Sequence, residues 1–127
     1  MSSILLDTNI VIALMNQTQA DLPRRLRDVL VDPSATAAIS VVSLWEIAIK
    51  VALGKLEIRI RPGDVRNWLA ECGIPLLPMA IDHALEVAHP EPSTKDPFDR
   101  LLLAVCACEG MKLLTTDQRL AEHRLAY

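Results

Sequence analysis

Four acidic residues, Asp7, Glu46, Asp99 and Asp117, sit at expected helix starts, and two of them directly follow an apolar, strand-like run. They lie in Ile4-Leu5-Leu6-Asp7-Thr8-Asn9, Ser43-Leu44-Trp45-Glu46-Ile47-Ala48, Asp96-Pro97-Phe98-Asp99-Arg100-Leu101 and Leu113-Leu114-Thr115-Thr116-Asp117. If strands and helices alternate, these positions gather at one end of a parallel sheet. Open α/β sheets place their sites there, outside the carboxyl ends of the strands. Clustered carboxylates that cannot satisfy one another need cations, and hard oxygen ligands select Mg²⁺ or Mn²⁺ over zinc. The pattern points to metal-dependent phosphate chemistry.

The rest of the chain supports the alternation. Residues 3–6 read as a strand and 9–16 as a helix. A second helix is expected over 21–31, with Asp21 as N-cap and Pro23 in its first turn. Residues 38–42 read as a strand, and Ser43 opens a helix that runs to Leu53 and stops at Gly54. A helix over 62–71 closes at Cys72-Gly73. The stretch 74–79 carries two prolines and reads as an edge or short strand. Residues 81–88 look helical, 90–95 form a Pro-rich loop, and Asp96 opens a helix to about Glu109, which Gly110 ends. A strand over 112–115 and a helical turn over 118–122 complete the order. The expected fold is one α/β domain over residues 1–127, three-layered α/β/α with a mainly parallel central sheet.

Composition narrows the setting. Hydrophobic residues make up 51% of the chain and aromatics only 3%, so the core is aliphatic. The mean hydropathy of +0.27 implies apolar surface left over for a subunit or partner contact. The longest apolar run, Leu101 to Cys108, is far below the ~20 residues a membrane span needs. The N-terminus lacks the positive region of a signal peptide, so the expected location is the cytoplasm. Cys72, Cys106 and Cys108 have no metal-ligand spacing and read as buried free thiols. A formal charge of −3 argues against bulk basicity as the means of binding nucleic acid, although bound divalent ions would offset an acidic pocket. The basic stretches at Arg24-Arg25-Leu26-Arg27, Lys50 with Lys55, and Arg59 with Arg61 read first as solvated faces.

Each acid also has an ordinary structural explanation. Ser43-Leu44-Trp45-Glu46 fits the Ser-x-x-Glu capping box. Asp96 can cap its helix with Pro97 at the first position, and Asp99 lies in the first turn, where the helix dipole favours negative charge. Asp7 and Asp117 can be strand-to-helix turn residues. The functional case rests on all four recurring at equivalent places.

The motifs Leu5-Leu6-Asp7-Thr8-Asn9, Ser40-Val41-Val42-Ser43-Leu44-Trp45-Glu46-Ile47-Ala48-Ile49-Lys50 with Gly54-Lys55-Leu56, Asp96-Pro97-Phe98-Asp99-Arg100-Leu101-Leu102, and Leu113-Leu114-Thr115-Thr116-Asp117 resemble those of PIN-domain ribonucleases. Among these they most resemble the VapC-type toxins of bacterial toxin–antitoxin pairs. The resemblance implies a metal-dependent endoribonuclease in which Asp7, Glu46, Asp99 and Asp117 are the metal-binding acids. Thr8, Asn9 and Thr115 match positions that shape the pocket. It also implies a homodimer, and an antitoxin whose C-terminal segment covers the acidic cleft. The apolar surplus in the first helices and in Trp45, Ile49 and Leu53 is expected to serve those interfaces. Two departures stand out. Many relatives carry histidine two residues before the Asp-Pro-Phe-Asp-Arg motif, where this chain has Thr94, and many continue after Asp117 into a last strand, where this chain reaches Tyr127. The final sheet edge is therefore expected to be short or formed by a partner.

Chemically, four such carboxylates repel one another, since one pair at 4 Å is worth ~4 kcal/mol at an effective dielectric of 20. Raised pKa values are expected, relieved by one or two Mg²⁺ or Mn²⁺ ions that acidify a water for in-line attack. Asp7 and Asp99 are the foremost ligands. Asp117 ligates directly or through water, and Glu46 also orients the attacking water. Arg100 and Lys50 are candidate phosphate contacts, although Lys50 lies four residues after Glu46, the spacing of a helical ion pair. His83, His89 and His123 show no ligand spacing, so acid–base chemistry without metal is a minor alternative. A haloacid-dehalogenase-type hydrolase would need Asp where Asn9 stands. A receiver domain would need an aspartate between Pro33 and Gly63, and there is none. The alternative from another class is a catalytically weak PIN-like module that binds or scaffolds a protein partner.

Overall fold

The central strand explains the layers. In the computed structural model, which describes residues 2–127, β1 spans Ser2–Leu6 and its last three residues are fully buried. Successive strand side chains face opposite sides. Leu5 accordingly joins one apolar cluster, and Ile4 and Leu6 join another. A strand that feeds two cores must be covered on both faces, which is the condition of a parallel sheet. The first cluster holds Leu102, Leu103, Val105 and Cys106 of α6 (Pro97–Glu109), and the second holds Ile10, Val11 and Met15 of α1 (Thr8–Met15) with Leu26 of α2 (Arg24–Val31). The remaining elements are β2 (Ala35–Ser40), α3 (Val41–Ala52), α4 (Val65–Cys72), β3 (Leu76–Leu77), α5 (Ile81–Leu85), β4 (Lys112–Leu114) and α7 (Gln118–Ala121). α3 contributes Val42 to one cluster and Ile47 to the other, and touches both α1 and α6.

The sheet order is β3-β2-β1-β4 and every pairing is parallel. The chain steps from β1 to β2 on one side and later to β4 on the other, so the direction of winding reverses beside β1. Such a reversal opens a crevice at the carboxyl ends of the strands. The three-layer α/β fold is therefore as expected. Among the described residues no helix is long and apolar enough to cross a membrane.

Several local expectations need correction. The second strand runs 35–40 rather than 38–42, because Ser40 caps α3 with its hydroxyl (Val42 N–H donates to Oγ, 3.0 Å). Ser43 therefore lies inside α3, and the Ser43/Glu46 capping box does not form. Asp21 belongs to a 3-10 turn over Gln19–Asp21, and α2 is preceded by Pro23 with no side-chain cap. The expected helix over 62–71 divides into a 3-10 turn, Pro62–Asp64, and α4. α5 stops at Leu85 rather than reaching residue 88. Of the cysteines only Cys106 is buried; Cys72 and Cys108 are exposed.

The last sheet edge is covered by the chain itself. Leu113 N–H donates to Leu125 O (2.8 Å) and Tyr127 N–H donates to Leu113 O (2.9 Å), forming a single parallel bridge at Ala126. His123 fixes this tail, because its Nδ1 accepts from Leu125 N–H (3.0 Å) and its Nε2 then donates to Pro90 O (2.7 Å). The apolar residues of α1 also go inward. Ile10, Val11 and Met15 are buried, and Ile12 and Leu14 pack against them. The exposed surplus lies at Val31 of α2, at Trp45 of α3 and Leu53 just after it, with Ile49 half-buried, and around α5 at Met79, Ile81, Leu85 and Val87.

Candidate active site

Strand register builds the floor of the crevice. Leu6 pairs with Leu114, and Asp7 N–H donates to Leu114 O (2.9 Å), so Asp7 stands opposite Thr115. Thr115 Oγ1 donates to Asp7 Oδ2 at 2.6 Å, and Asp7 Oδ1 caps α1 by accepting from Thr8 N–H at 2.8 Å. Asp7 is only 4% exposed. Burial pushes its carboxyl above the ordinary range, the two donors oppose that shift, and the negative charges of Glu46 and Asp117 add to it.

Glu46 arrives from α3, one and a half turns past the Ser40 cap. It is buried, and its Oε1 accepts from the Thr8 hydroxyl at 2.7 Å. Ser43, one turn earlier on the same face, has its hydroxyl 3.0 Å from Thr8 Oγ1. Thr8 has one proton, which Glu46 takes, so the Ser43 proton is the one that lies between the two hydroxyls. Lys50, one turn after Glu46, pairs with Oε2. The hydrogen bond from Lys50 to Glu46 raises the lysine pKa above its ordinary value, and burial opposes this. Lys50 also lies in the field of Asp96 and Asp99, so α3 and the start of α6 face each other across the crevice.

On that facing wall Asp96 caps α6, accepting from Phe98 N–H (2.8 Å) and Asp99 N–H (3.3 Å), with Pro97 at the first position as expected. Asp99 is half-buried, and its one hydrogen bond is a long one from the Thr94 hydroxyl, 3.3 Å. Its pKa is pushed up to about 6, first by burial and then by the negative charges of Asp96, Asp7 and Glu46. Asp117 caps α7 through Oδ1, which accepts from Arg119 N–H (2.8 Å) and Leu120 N–H (3.2 Å), and is exposed.

Asp7, Thr8, Glu46 and Thr115 are thus joined in one hydrogen-bonded floor, with Asp99 and Asp117 close enough to act on Asp7 electrostatically. Asn9 is exposed in the first turn of α1. Arg100, a candidate phosphate contact by sequence, is engaged with its own chain. Its guanidinium holds the Pro-rich loop by donating to Thr94 O (2.7 Å), Pro92 O (3.0 Å) and Glu91 Oε1 (3.4 Å). Two further side chains join the site: Ser43, which by sequence reads as a helix cap, and Thr94, which by sequence is only an unusual residue before the Asp-Pro-Phe-Asp-Arg motif. Both nitrogens of His83 are engaged, accepting from Ala80 N–H (3.0 Å) and meeting Glu109 Oε1 (2.7 Å), so neither His83 nor His123 is free to act as acid or base.

The donor set is carboxylate and hydroxyl oxygen throughout, which suits a hard divalent cation and not a soft one. Burial first, and neighbouring carboxylates after it, raise the pKa values of Asp7 and Asp99, a cost that a bound cation would offset. Among the described residues no three His, Cys, Asp or Glu side chains converge on one point.

Residues 4–124 match the PIN domain family. The chain belongs to that family. Its members are generally metal-dependent nucleases, so this PIN domain is placed with the hydrolases of nucleic-acid phosphodiester bonds. No curated protein is significantly similar to it.

Proposed function

We propose that the chain is a single PIN domain acting as a Mg²⁺- or Mn²⁺-dependent endoribonuclease, with Asp7, Glu46, Asp99 and Asp117 as its catalytic acids. The observation that carries the reading is Asp7. A carboxylate is buried at the end of the central strand, at the point where the winding reverses, with Glu46 of α3 and the α7 cap Asp117 acting on it and with Asp99 of α6 in its field. A bound divalent cation would supply Lewis acidity, polarising the phosphodiester and lowering the pKa of a water for in-line attack.

The chain's own residues divide the remaining work. Asp7 and Asp99 would hold one or two cations, with Asp117 offering the oxygen that its cap leaves free. Thr115 and Thr8 orient the Asp7 carboxylate, and Thr8, Ser43 and Lys50 hold Glu46 in place, where it could orient the attacking water. The VapC-like motifs support a toxin role in the cytoplasm, countered by an antitoxin that covers the cleft, and a homodimer. A monomer at high concentration without antitoxin would rule out the homodimer. One observation favours the second reading, a binding module without turnover: the acids do not already converge on one point.

Cleavage of total cellular RNA by wild type and Asp7→Asn, each with Mg²⁺, Mn²⁺ or EDTA, separates the two readings. Cutting that needs both the metal and Asp7 is expected. Activity that survives EDTA and the substitution would sink the metal mechanism. Silence in every lane would favour the binding module.

A further inference from the structure

Among the described residues, the Pro-rich loop that leads into α6 makes no backbone–backbone hydrogen bond between Val87 and Lys95. Pro90 and Pro92 have no N–H to give, and side chains from elsewhere hold the loop by its carbonyls. Arg124 donates to His89 O through Nη2 (3.0 Å) and Nε (3.2 Å), and His123 Nε2 donates to Pro90 O (2.7 Å). Arg100 takes Pro92 O and Thr94 O. Two separate parts of the chain therefore clamp this loop, α6 from one end and the C-terminal segment from the other.

The clamped loop delivers one group to the acidic site. Thr94 Oγ1 accepts from Asp96 N–H (3.2 Å), so its single proton is left for Asp99 Oδ2 (3.3 Å). That is the one hydrogen bond the Asp99 carboxylate receives among the described residues. Asp96, Asp7 and Glu46 act on the same carboxylate as like charges, and it is only half-buried. Rotation outward to water would relieve it, and the Thr94 proton opposes that rotation. Asp7 has the same device in a stiffer form, since Thr115, at the end of β4, donates to it at 2.6 Å. A hydroxyl carried on a loop orients a carboxylate only as well as the loop is fixed.

We infer that Thr94 is the positioning residue of Asp99, and that the C-terminal segment sets Thr94 through the Pro-rich loop. His123 and Arg124, bonded to none of the four acids, thereby tune the cation affinity of the site. The inference rests on the reading of Asp99 as a cation ligand. It gives the C-terminal segment a task beyond covering the edge of the sheet.

The test measures Mn²⁺ affinity of the full chain without RNA, from the paramagnetic resonance signal of the unbound ion. Thr94→Val should weaken binding roughly ten- to a hundred-fold, the usual loss when the partner of a metal ligand is removed. Thr94→Ser keeps the hydroxyl and should restore most of the affinity. The distant variant is His123→Asn, which keeps an acceptor for Leu125 N–H two residues on but is too short to reach Pro90. It should weaken Mn²⁺ binding roughly three- to thirtyfold, as remote coupling does.

Wild-type affinity in Thr94→Val or in His123→Asn would overturn the inference and leave the metal nuclease standing. Equal losses in Thr94→Ser and Thr94→Val would also overturn it, because the hydroxyl would then not be the group that matters. A wild-type protein that binds no Mn²⁺ would remove both readings. Mn²⁺ binding with the expected losses, but no RNA cleavage in any metal, keeps the positioning role and removes the nuclease.

Discussion

Asp7 and Asp99 occupy opposite walls of one crevice and are held in opposite ways. Asp7 is buried at the end of the central strand and receives two short hydrogen bonds, from Thr115 and Thr8. Asp99 is half-buried, receives one long bond from Thr94, and looks across at Asp7 and Glu46. Donors offset part of the cost of burying Asp7, whereas like charges add to the cost at Asp99. One wall is thus organised before any cation arrives, while the other stays under electrostatic tension that a cation would relieve.

Breaking the organised wall should have the largest effect. Asp7→Asn is expected to lower RNA cleavage by more than the roughly hundred-fold seen when only the partners of a metal ligand are lost. Its secondary structure, checked by circular dichroism, should remain, because Asn also caps helices. A variant that cuts normally would remove Asp7 from the site.

Relieving the strained wall comes next. Mg²⁺ or Mn²⁺ at about a hundred times its dissociation constant should stabilise the fold by ~2.7 kcal/mol. In a domain of this size that amounts to roughly 5–15 °C in Tm. Asp99→Asn should blunt the rise, and a melt indifferent to metal in wild type would argue against the acidic cluster as a cation site.

A pH titration without metal sharpens the contrast further. Asp99 has a folded pKa of about 6 against an ordinary value of 3.8. Between these values the folded state binds more protons than the unfolded one, so the contribution of Asp99 to stability falls as pH rises through that window. The difference in Tm between wild type and Asp99→Asn should therefore shift against wild type from about pH 4 to pH 6, and saturating Mg²⁺ should abolish the trend. Asp7 moves in the same direction, so the difference between the two proteins is the quantity to follow.

Arg100→Lys should have the smallest effect. Losing the planar grip on Thr94, Pro92 and Glu91 is expected to cost about 1–2 kcal/mol of stability. The salt dependence of KM should stay as in wild type, because this cation serves the loop. A flatter salt slope with an unchanged melt would return Arg100 to the role of phosphate contact.

Sequence order alone was enough for the alternating elements and the parallel sheet, because the strand-to-helix turns at Asp7, Asp96 and Asp117 carry local signals; Glu46, expected at a helix start, lies in the middle of α3. Apolar runs end at Asp7 and before Asp117, Asp96-Pro97 opens a helix, and Lys50 sits one turn from Glu46. Where two local solutions compete, sequence was silent. Ser40 and Ser43 are both adequate helix caps, and packing chose Ser40, which turned Glu46 inward to Thr8 and changed its neighbours. The same holds for Arg100, whose chemistry suits a phosphate as well as a backbone carbonyl until the loop at 91–94 is seen beside it. Hydrogen bonds from Thr115 to Asp7, 108 residues apart, and from Thr8 to Glu46, 38 apart, exist only because the sheet register and the α1–α3 packing bring them together. Local propensity decides which elements form; only tertiary contact decides which of a residue's satisfactory partners it meets.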